Sequence, residues 1–340
     1  MKNIMIFGAG AIGATVAAWL KESADNNHLN FYVFDKPEVA DHINTQGIET
    51  YLGETPQQRT RTSVTAYSEL DKMPVPDLII LCIKNYSLNA VSQLLQDKYG
   101  TDVIIVALQN GVENQKVLPN YFNKVIYGVV CFNAWVDNPA VVGYQKKGPI
   151  ALGHKGGLSS SELKEVAELF NNGVETNTPA NFDDASHAKI VINLTNSLTT
   201  LVALHQNDQS KSKEFQKLLT TMTYEGVKVM EAAGFKESKL GGMPSWTLIK
   251  AAGILPGFLT RKPYLKNLKK MVISSMAQDI IVQGGHASEL ETINGYVLSL
   301  ADKYKVNVPV NQAIYKLCKS EFSKSPFTPL SVEKIWESVR

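Results

Sequence analysis

Apolar residues in the first half of the chain fall into short dense runs separated by stretches of helical period. Ile4-Met5-Ile6-Phe7, Leu29-Asn30-Phe31-Tyr32-Val33-Phe34, Leu78-Ile79-Ile80-Leu81-Cys82-Ile83 and Val103-Ile104-Ile105-Val106-Ala107 predict strands over 3–7, 29–34, 77–83 and 103–107. The last two are continuous apolar runs, the pattern of strands covered on both faces of a parallel sheet. Helical stretches at 11–22, 86–98 and 112–117 lie between them, so the succession is βαβ and the sheet doubly wound. Runs at 125–132 and 149–152 extend the sheet beyond its parallel part, and a loop at 154–161 leads to a helix reaching about residue 172. From about Asn181 the pattern is helical, with stretches at 183–205, 211–233, 265–283, 288–304 and 309–323. The segment 234–263 is broken by glycine and proline yet carries Trp246, Leu248, Ile249, Ile254, Leu255, Phe258 and Leu259. It reads either as short helices at a domain interface or as a mobile lid. The expected fold is α/β, a doubly wound sheet domain over 1–178 followed by an all-helical domain over 179–340.

Length supports the division, because single cores seldom grow past ~250–300 residues. The 44% apolar and 19% charged residues and the formal charge of +2 lack the basic stripe of a nucleic-acid binder. The cluster Lys262, Lys266, Lys269 and Lys270 reads as a solvated helix face. Cys82, Cys131 and Cys318 are far apart and odd in number, which suggests neither a disulfide framework nor a zinc site. The six histidines show no ligand spacing, so no metal is expected. No apolar stretch approaches the ~20 residues of a membrane span, and glycines interrupt the N-terminal apolar run too early for a signal peptide. A cytoplasmic location is the expectation, with no membrane or nucleic-acid partner.

The first strand runs straight into Gly8-Ala9-Gly10-Ala11-Ile12-Gly13, and a helix follows at once. That order suits a dinucleotide pyrophosphate: Gly8 permits a tight turn, Gly10 allows close approach of backbone and phosphate, and Gly13 lets helix pack on strand. The helix N-terminus then offers N–H groups and partial positive charge. Strand two ends in Phe34-Asp35-Lys36. Asp35 fits a reader of the ribose hydroxyls of NAD, Lys36 a partner for the 2′-phosphate of NADP, and a plain turn at Asp35-Lys36-Pro37 is the third alternative. NAD and NADP both stay open.

Polar residues also appear where the apolar pattern ends. Lys84 follows strand three and Asn110 strand four, at the carboxyl ends where ligands of open α/β sheets bind. The helix predicted around 185–204 is apolar nearly all round, hence buried, yet Lys189, Asn193 and Asn196 or Ser197 share one face. A buried lysine is costly unless paired or useful; the alternative is a lysine that snorkels at the helix start. A third cluster is Ser274-Ser275-Met276-Ala277-Gln278-Asp279, then Ser288 to Gly295. Ser288 with Glu291 reads as a capping box, which leaves Glu289 to face a ligand or to complement the helix dipole.

Taken in order, these pieces resemble the ketopantoate reductase family (2-dehydropantoate 2-reductases and relatives), from the glycine turn to about Leu317. The matching residues are Gly8 to Gly13, Lys84, Gln109-Asn110-Gly111-Val112-Glu113, Lys189 with Asn193, Ser274 to Asp279, Glu289 six residues before Gly295, and Pro309-Val310-Asn311. The resemblance implies a Rossmann-type domain joined to a helical one, an active site in the cleft between them, and hydride transfer from NADPH or NADH to a 2-keto acid. By it Lys189 is the general acid, Asn110 positions that lysine and the nicotinamide end, Glu289 and Asn193 contact substrate, and Ser275, Ser197 and Asn196 are further substrate contacts. Gly8, Ala9, Gly10, Ala11, Ile12, Gly13, Asp35, Lys36, Lys84 and Asn110 are the expected cofactor set.

The chain also departs from the family pattern. Ser186-His187-Ala188-Lys189 replaces a bulky Trp-x-Lys lead-in. Ser197 stands where an asparagine is common, with Asn196 one residue early. The gap from Asp279 to Glu289, with Gly284-Gly285 inside it, is about two residues longer than is usual for the family. The 234–263 insertion is long, and Phe34-Asp35-Lys36 replaces an arginine-bearing strand end. These changes bear on substrate and cofactor choice. Ketopantoate is the default substrate. An NAD-dependent D-2-hydroxyacid dehydrogenase for a bulkier apolar acid is the rival, and a dinucleotide sensor without turnover a third reading. A homodimer through the long helices is left open.

Overall fold

The structure, a computed structural model, describes residues 1–204, 211–268, 271–282, 284 and 288–339. It divides into two units, Met1–Ala185 and Ser186–Arg340. The division falls inside the helix Phe182–Asn193. The start of that helix belongs to the first unit because Phe182 is buried there, its ring 6.2 Å from that of Tyr127.

The first unit has twelve strands: β1 (Asn3–Phe7), β2 (Asn30–Phe34), β3 (Ile48–Leu52), β4 (Arg59–Thr62), β5 (Thr65–Tyr67), β6 (Leu78–Leu81), β7 (Ile104–Ala107), β8 (Lys124–Val130), β9 (Ala134–Asn138), β10 (Val141–Tyr144), β11 (Ile150–Gly153) and β12 (Thr176–Asn177). Eight form one sheet in the order β12-β11-β8-β7-β6-β1-β2-β5. All neighbours from β5 across to β8 are parallel, and β11 alone pairs antiparallel, with β8. The parallel part therefore reaches one strand further at each end than the sequence suggests, to β8 on one side and β5 on the other. Chain order reverses between β1 and β6, the switch point where such sheets bind ligands. Register matters for the site. Phe7 stands opposite Phe34 and Leu81, and Leu81 opposite Ala107. Four strands thus end level, and Gly8, Asp35, Cys82 and Leu108 leave the sheet at one edge.

A second sheet, β4-β3-β10-β9, was not legible in the sequence. Its strands are short and partly polar (Ile48-Glu49-Thr50-Tyr51-Leu52, Arg59-Thr60-Arg61-Thr62), and β3 finds its parallel partner β10 about ninety residues on. The helix Ala11–Asn26 packs against strands of both sheets, which explains why it is apolar on more than one face. Trp19 from that helix meets Tyr144 of β10 edge-on and Phe132 at a tilt, at 5.1 and 4.8 Å between ring centroids.

The second unit is built of helices and the loops between them, with no strand among its described residues. Its core gathers Leu198, Leu201, Phe215, Leu218, Met222, Ile314, Cys318 and Ile335. Serines cap its helices: Ser212 accepts from Phe215 N–H at 3.0 Å, Ser245 from Leu248 at 3.2 Å and Ser274 from Ala277 at 3.1 Å.

Three predicted helices differ here. The stretch 183–205 is two helices, Phe182–Asn193 and Thr195–Leu201, because Thr195, Ser197, Thr199 and Thr200 turn their hydroxyls onto carbonyls three or four residues back. The stretch 265–283 is interrupted: one helix ends at Leu268, and the chain turns helical again at Ser275 and widens into a π turn, Gln278–Val282. The capping box at Ser288 does not form. Glu291 lies in a second π turn, Glu291–Gly295, and its carboxylate accepts from Tyr315 Oη at 2.5 Å and pairs with Lys319 at 3.1 Å. Residue 205, residue 283, Gly285, Lys269 and Lys270 lie outside the described residues; Lys262 and Lys266 are exposed. Among the described residues no helix is long and apolar enough to cross a membrane.

Candidate functional site

The glycine turn is built by sterics. Gly8 has φ +97°, and a Cβ there would press on the Cys82 carbonyl oxygen at 3.3 Å. A Cβ on Gly13 would stand 1.7 Å from the Gly8 carbonyl oxygen and 3.0 Å from Cys82 Cβ, so nothing larger than glycine lets this helix sit on β1 and β6. Gly10 differs. It is exposed, it caps the helix Ala11–Asn26, and nothing lies within 4 Å of where its Cβ would be. A helix leaves its first N–H groups without intrahelical acceptors, and Gly10 brings no side chain to cap them. Open space in front of donors at a positive helix end is what a pyrophosphate needs. Ala9, Ala11 and Ile12 complete this turn.

Asp35 ends β2 half-buried. Its Oδ2 accepts the Ala9 N–H and its Oδ1 the Lys36 N–H at 2.7 Å. No plain turn forms at Asp35-Lys36-Pro37, because Pro37 opens the helix Pro37–Gln46; the carboxylate instead ties β2 to the glycine turn. A carboxylate has about four acceptor directions, which leaves two for ribose hydroxyls. Lys36 is exposed beside it.

At the next strand ends, Lys84 and Asn110 are both half-buried. Two neighbours to which sequence reasoning gave no role organise them. Asn85 Nδ2 donates to the Asn110 carbonyl at 2.7 Å, and buried Gln109 donates its Nε2 to the Leu81 carbonyl at 2.9 Å. Both bonds lock β6 to β7 at the edge that carries Lys84 and Asn110. The signal was present as polar residues ending apolar strands, but their partners were not.

In the second unit Lys189 is half-buried and Asn193, one turn on, is 7% exposed. Glu289 is 4% exposed, in the turn that opens the following helix. Ser275 is half-buried at the start of its helix. The three segments converge: Asn294 Nδ2 donates to Ser197 Oγ at 3.0 Å and to the Leu194 carbonyl at 3.3 Å, and Thr200 Oγ1 lies 3.3 Å from Ser274 Oγ. This corrects the expectation for Ser197. It is fully buried, its hydroxyl donates to the Leu194 carbonyl at 2.8 Å while accepting from Asn294, and it holds two helices together rather than facing a ligand. Asn196 stays half-buried, its carbonyl accepting from Thr199 and Thr200. The cofactor set thus lies wholly in the first unit, and the lysine, asparagine, serine and glutamate set wholly in the second.

A nucleotide turn at the switch point of a doubly wound sheet, followed along the chain by a helical unit carrying a lysine and buried carboxylates, defines a nicotinamide-dependent oxidoreductase. The comparisons with known proteins agree. The family described as Ketopantoate reductase PanE/ApbA matches residues 4–157, and Ketopantoate reductase PanE/ApbA C terminal matches residues 181–321. The chain belongs to the ketopantoate reductase family. A 2-dehydropantoate 2-reductase of Pyrococcus horikoshii is 26% identical over 331 residues, covering 94% of this chain and 98% of that one. Among solved structures, D-mandelate dehydrogenase with NADH and anilino(oxo)acetate matches with a TM-score of 0.74 at 20% identity, covering 99% of each chain. A ketopantoate reductase from Ralstonia eutropha matches at 0.72 and 20%, covering 95% of this chain and 100% of that one.

Proposed function

We propose that this chain reduces a 2-keto acid to the 2-hydroxy acid with NADPH or NADH, and that ketopantoate is its substrate. The observation that carries the reading is the family match across both units, 4–157 and 181–321. The curated relatives named 2-dehydropantoate 2-reductase support the substrate.

In this reading the backbone of Gly8 to Gly13 holds the pyrophosphate, Asp35 and Lys36 meet the adenosine ribose, and Lys84 and Asn110 face the nicotinamide end. The reduced nicotinamide, when bound, supplies the hydride. As the carbonyl carbon becomes tetrahedral, its oxygen takes up negative charge; the Lys189 ammonium stabilises that charge and gives the proton that completes the alcohol. Asn193 and Glu289 hold the substrate and its new hydroxyl, and Ser275 and Asn196 are the outer contacts. Burial of Asn193 and Glu289 supports these roles, since a dry site strengthens each polar contact. The partner is thus a small keto acid. A cytoplasmic setting, supported by three thiols outside any disulfide, and a homodimer, supported by exposed Ile254, Leu255, Phe258 and Leu259, belong to the same proposal.

Asp35 favours a second reading, an NAD-dependent D-2-hydroxyacid dehydrogenase acting on a bulkier acid. Turnover of ketopantoate, phenylglyoxylate and branched 2-keto acids with NADH and with NADPH tests both. Ketopantoate with NADPH as the best pair supports the first, phenylglyoxylate or a branched acid with NADH the second. Tight cofactor binding with no turnover in the panel would sink both and leave the dinucleotide sensor.

A further inference from the structure

Two residues before Lys189, on the same helix, His187 is 3% exposed. Its Nε2 lies 2.8 Å from Tyr296 Oη and its Nδ1 3.3 Å from Ser186 Oγ. Its ring stacks on Phe235, centroids 3.4 Å apart and planes 15° from parallel. Both partners sit at informative points of the chain. Tyr296 directly follows the π turn Glu291–Gly295, which leads away from Glu289. Phe235 follows Gly234, whose φ of +89° ends the helix Lys213–Ala232; the Phe235 N–H reaches back to the Met230 carbonyl at 3.0 Å and the Gly234 N–H to Glu231 at 3.0 Å. This is a Schellman-type stop, and it aims the Phe235 ring at the histidine. One imidazole therefore fastens the Lys189 helix to the Glu289 segment by a directional bond and to a third element by stacking.

The position along the helix is also telling. Below Lys189 and Asn193 the second clamp, Ser197 and Leu194 with Asn294, joins the same two segments. Lys189 and Asn193 lie between the two clamps. Stacking alone would let the helix turn about its axis. A hydrogen bond at each end of the run holds the rotation that aims the ammonium.

We infer that His187 and Tyr296 act as positioning residues that fix the rotation of the Lys189 helix, and with it the direction of the ammonium, for proton delivery. The inference rests on the reduction reading above. Neither side chain touches substrate in this account; the pair acts through Lys189.

The test uses the full chain. Tyr296→Phe removes one hydroxyl and keeps the ring. It should lower kcat about fivefold to twentyfold, leave the KM for the nicotinamide cofactor within about twofold, and move the alkaline limb of the kcat–pH profile by about half a unit or more. His187→Gln, which keeps a hydrogen-bonding group, should stay within about threefold of the parent, whereas His187→Leu should fall as far as Tyr296→Phe; the double variant His187→Leu/Tyr296→Phe should be no worse than His187→Leu alone, because the two share one interaction. Should His187→Leu not fold, Tyr296→Phe alone decides the matter. An unchanged kcat and pH limb in Tyr296→Phe, or fully additive losses in the double variant, overturns the inference while leaving the reduction reading intact. A parent that turns over no 2-keto acid overturns the reading itself and this inference with it.

Discussion

Between Gly8 and Gly13 the site proposed for the first unit is bare backbone, whereas the second unit brings side chains together from segments about a hundred residues apart, as the Asn294–Leu194 contact shows. The two constructions fail in different ways. A backbone site depends on the absence of atoms, so any added Cβ acts either on folding or on binding, according to whether the space it enters is already filled. A side-chain site depends on groups being present and aimed, so a deletion there leaves the fold standing and removes chemistry. In the proposed function the first would hold the cofactor and the second would act on the substrate.

The largest effect expected from this contrast belongs to the second unit. Lys189→Ala should lower kcat by about 10²–10⁴ with cofactor affinity little changed, the usual span for a general acid. A loss under about tenfold in steady-state assays would take Lys189 out of the mechanism.

Next come two glycines of the same turn whose substitutions should differ in kind. Gly13→Ala puts a Cβ 1.7 Å from the Gly8 carbonyl oxygen and should cost about 3 kcal/mol in urea unfolding, the range of an overpacked core. Gly10→Ala enters open space and should unfold within about 0.5 kcal/mol of the parent. It should instead raise the cofactor Kd about tenfold, which is 1.4 kcal/mol. If both substitutions acted on stability alone, Gly10 would have no part in holding a pyrophosphate.

Asp35→Ala should weaken NADH about tenfold and NADPH less, the scale of one charged hydrogen bond. Equal losses, read by cofactor fluorescence, would leave Asp35 with only its turn-fastening bonds to Ala9 and Lys36.

The smallest expected effect tests the helical scaffold away from the chemistry. Glu225 is buried, and its carboxylate accepts from the N–H groups of Val310 and Asn311 and from Asn311 Nδ2, at 3.2, 3.0 and 2.8 Å. Burial raises its pKa above the usual 4.5, and those bonds only partly oppose the rise. A raised carboxylate pKa means that the folded state holds its proton more tightly than the unfolded one. The stability it contributes is fully present below the unfolded value and is lost as pH climbs through the folded value. The parent should therefore gain stability relative to Glu225→Gln on going from pH 7 to pH 4, seen as converging or crossing urea midpoints. A parent that loses ground to Glu225→Gln in acid would reverse the sign.

Much of the first unit was legible because its instructions are local. Continuous apolar runs announced β1, β2, β6 and β7, and six consecutive residues spelled out the turn. The second sheet escaped because β3 and β10 are ordinary short strands until they meet. In the helical unit the segments carrying Lys189, Ser275 and Glu289 could be picked out, since polar residues interrupt apolar faces there. What each does was not equally visible. Ser197 looked like a ligand contact and proved to be a helix clamp, Glu291 looked like a cap and pairs with Tyr315 and Lys319, and His187, Tyr296 and Asn294 gave no sequence signal that joined them.

The sequence by itself determined the strand–glycine–helix turn, the doubly wound order and the family, because these follow from backbone conformation and from hydrophobic period over a few neighbouring residues. Only the tertiary structure decided which polar side chains fasten helices and so are taken up before any ligand arrives. A hydroxyl or carboxylate has the same spacing along the chain in either role, and what separates the roles is the partner that folding brings within three ångströms of it.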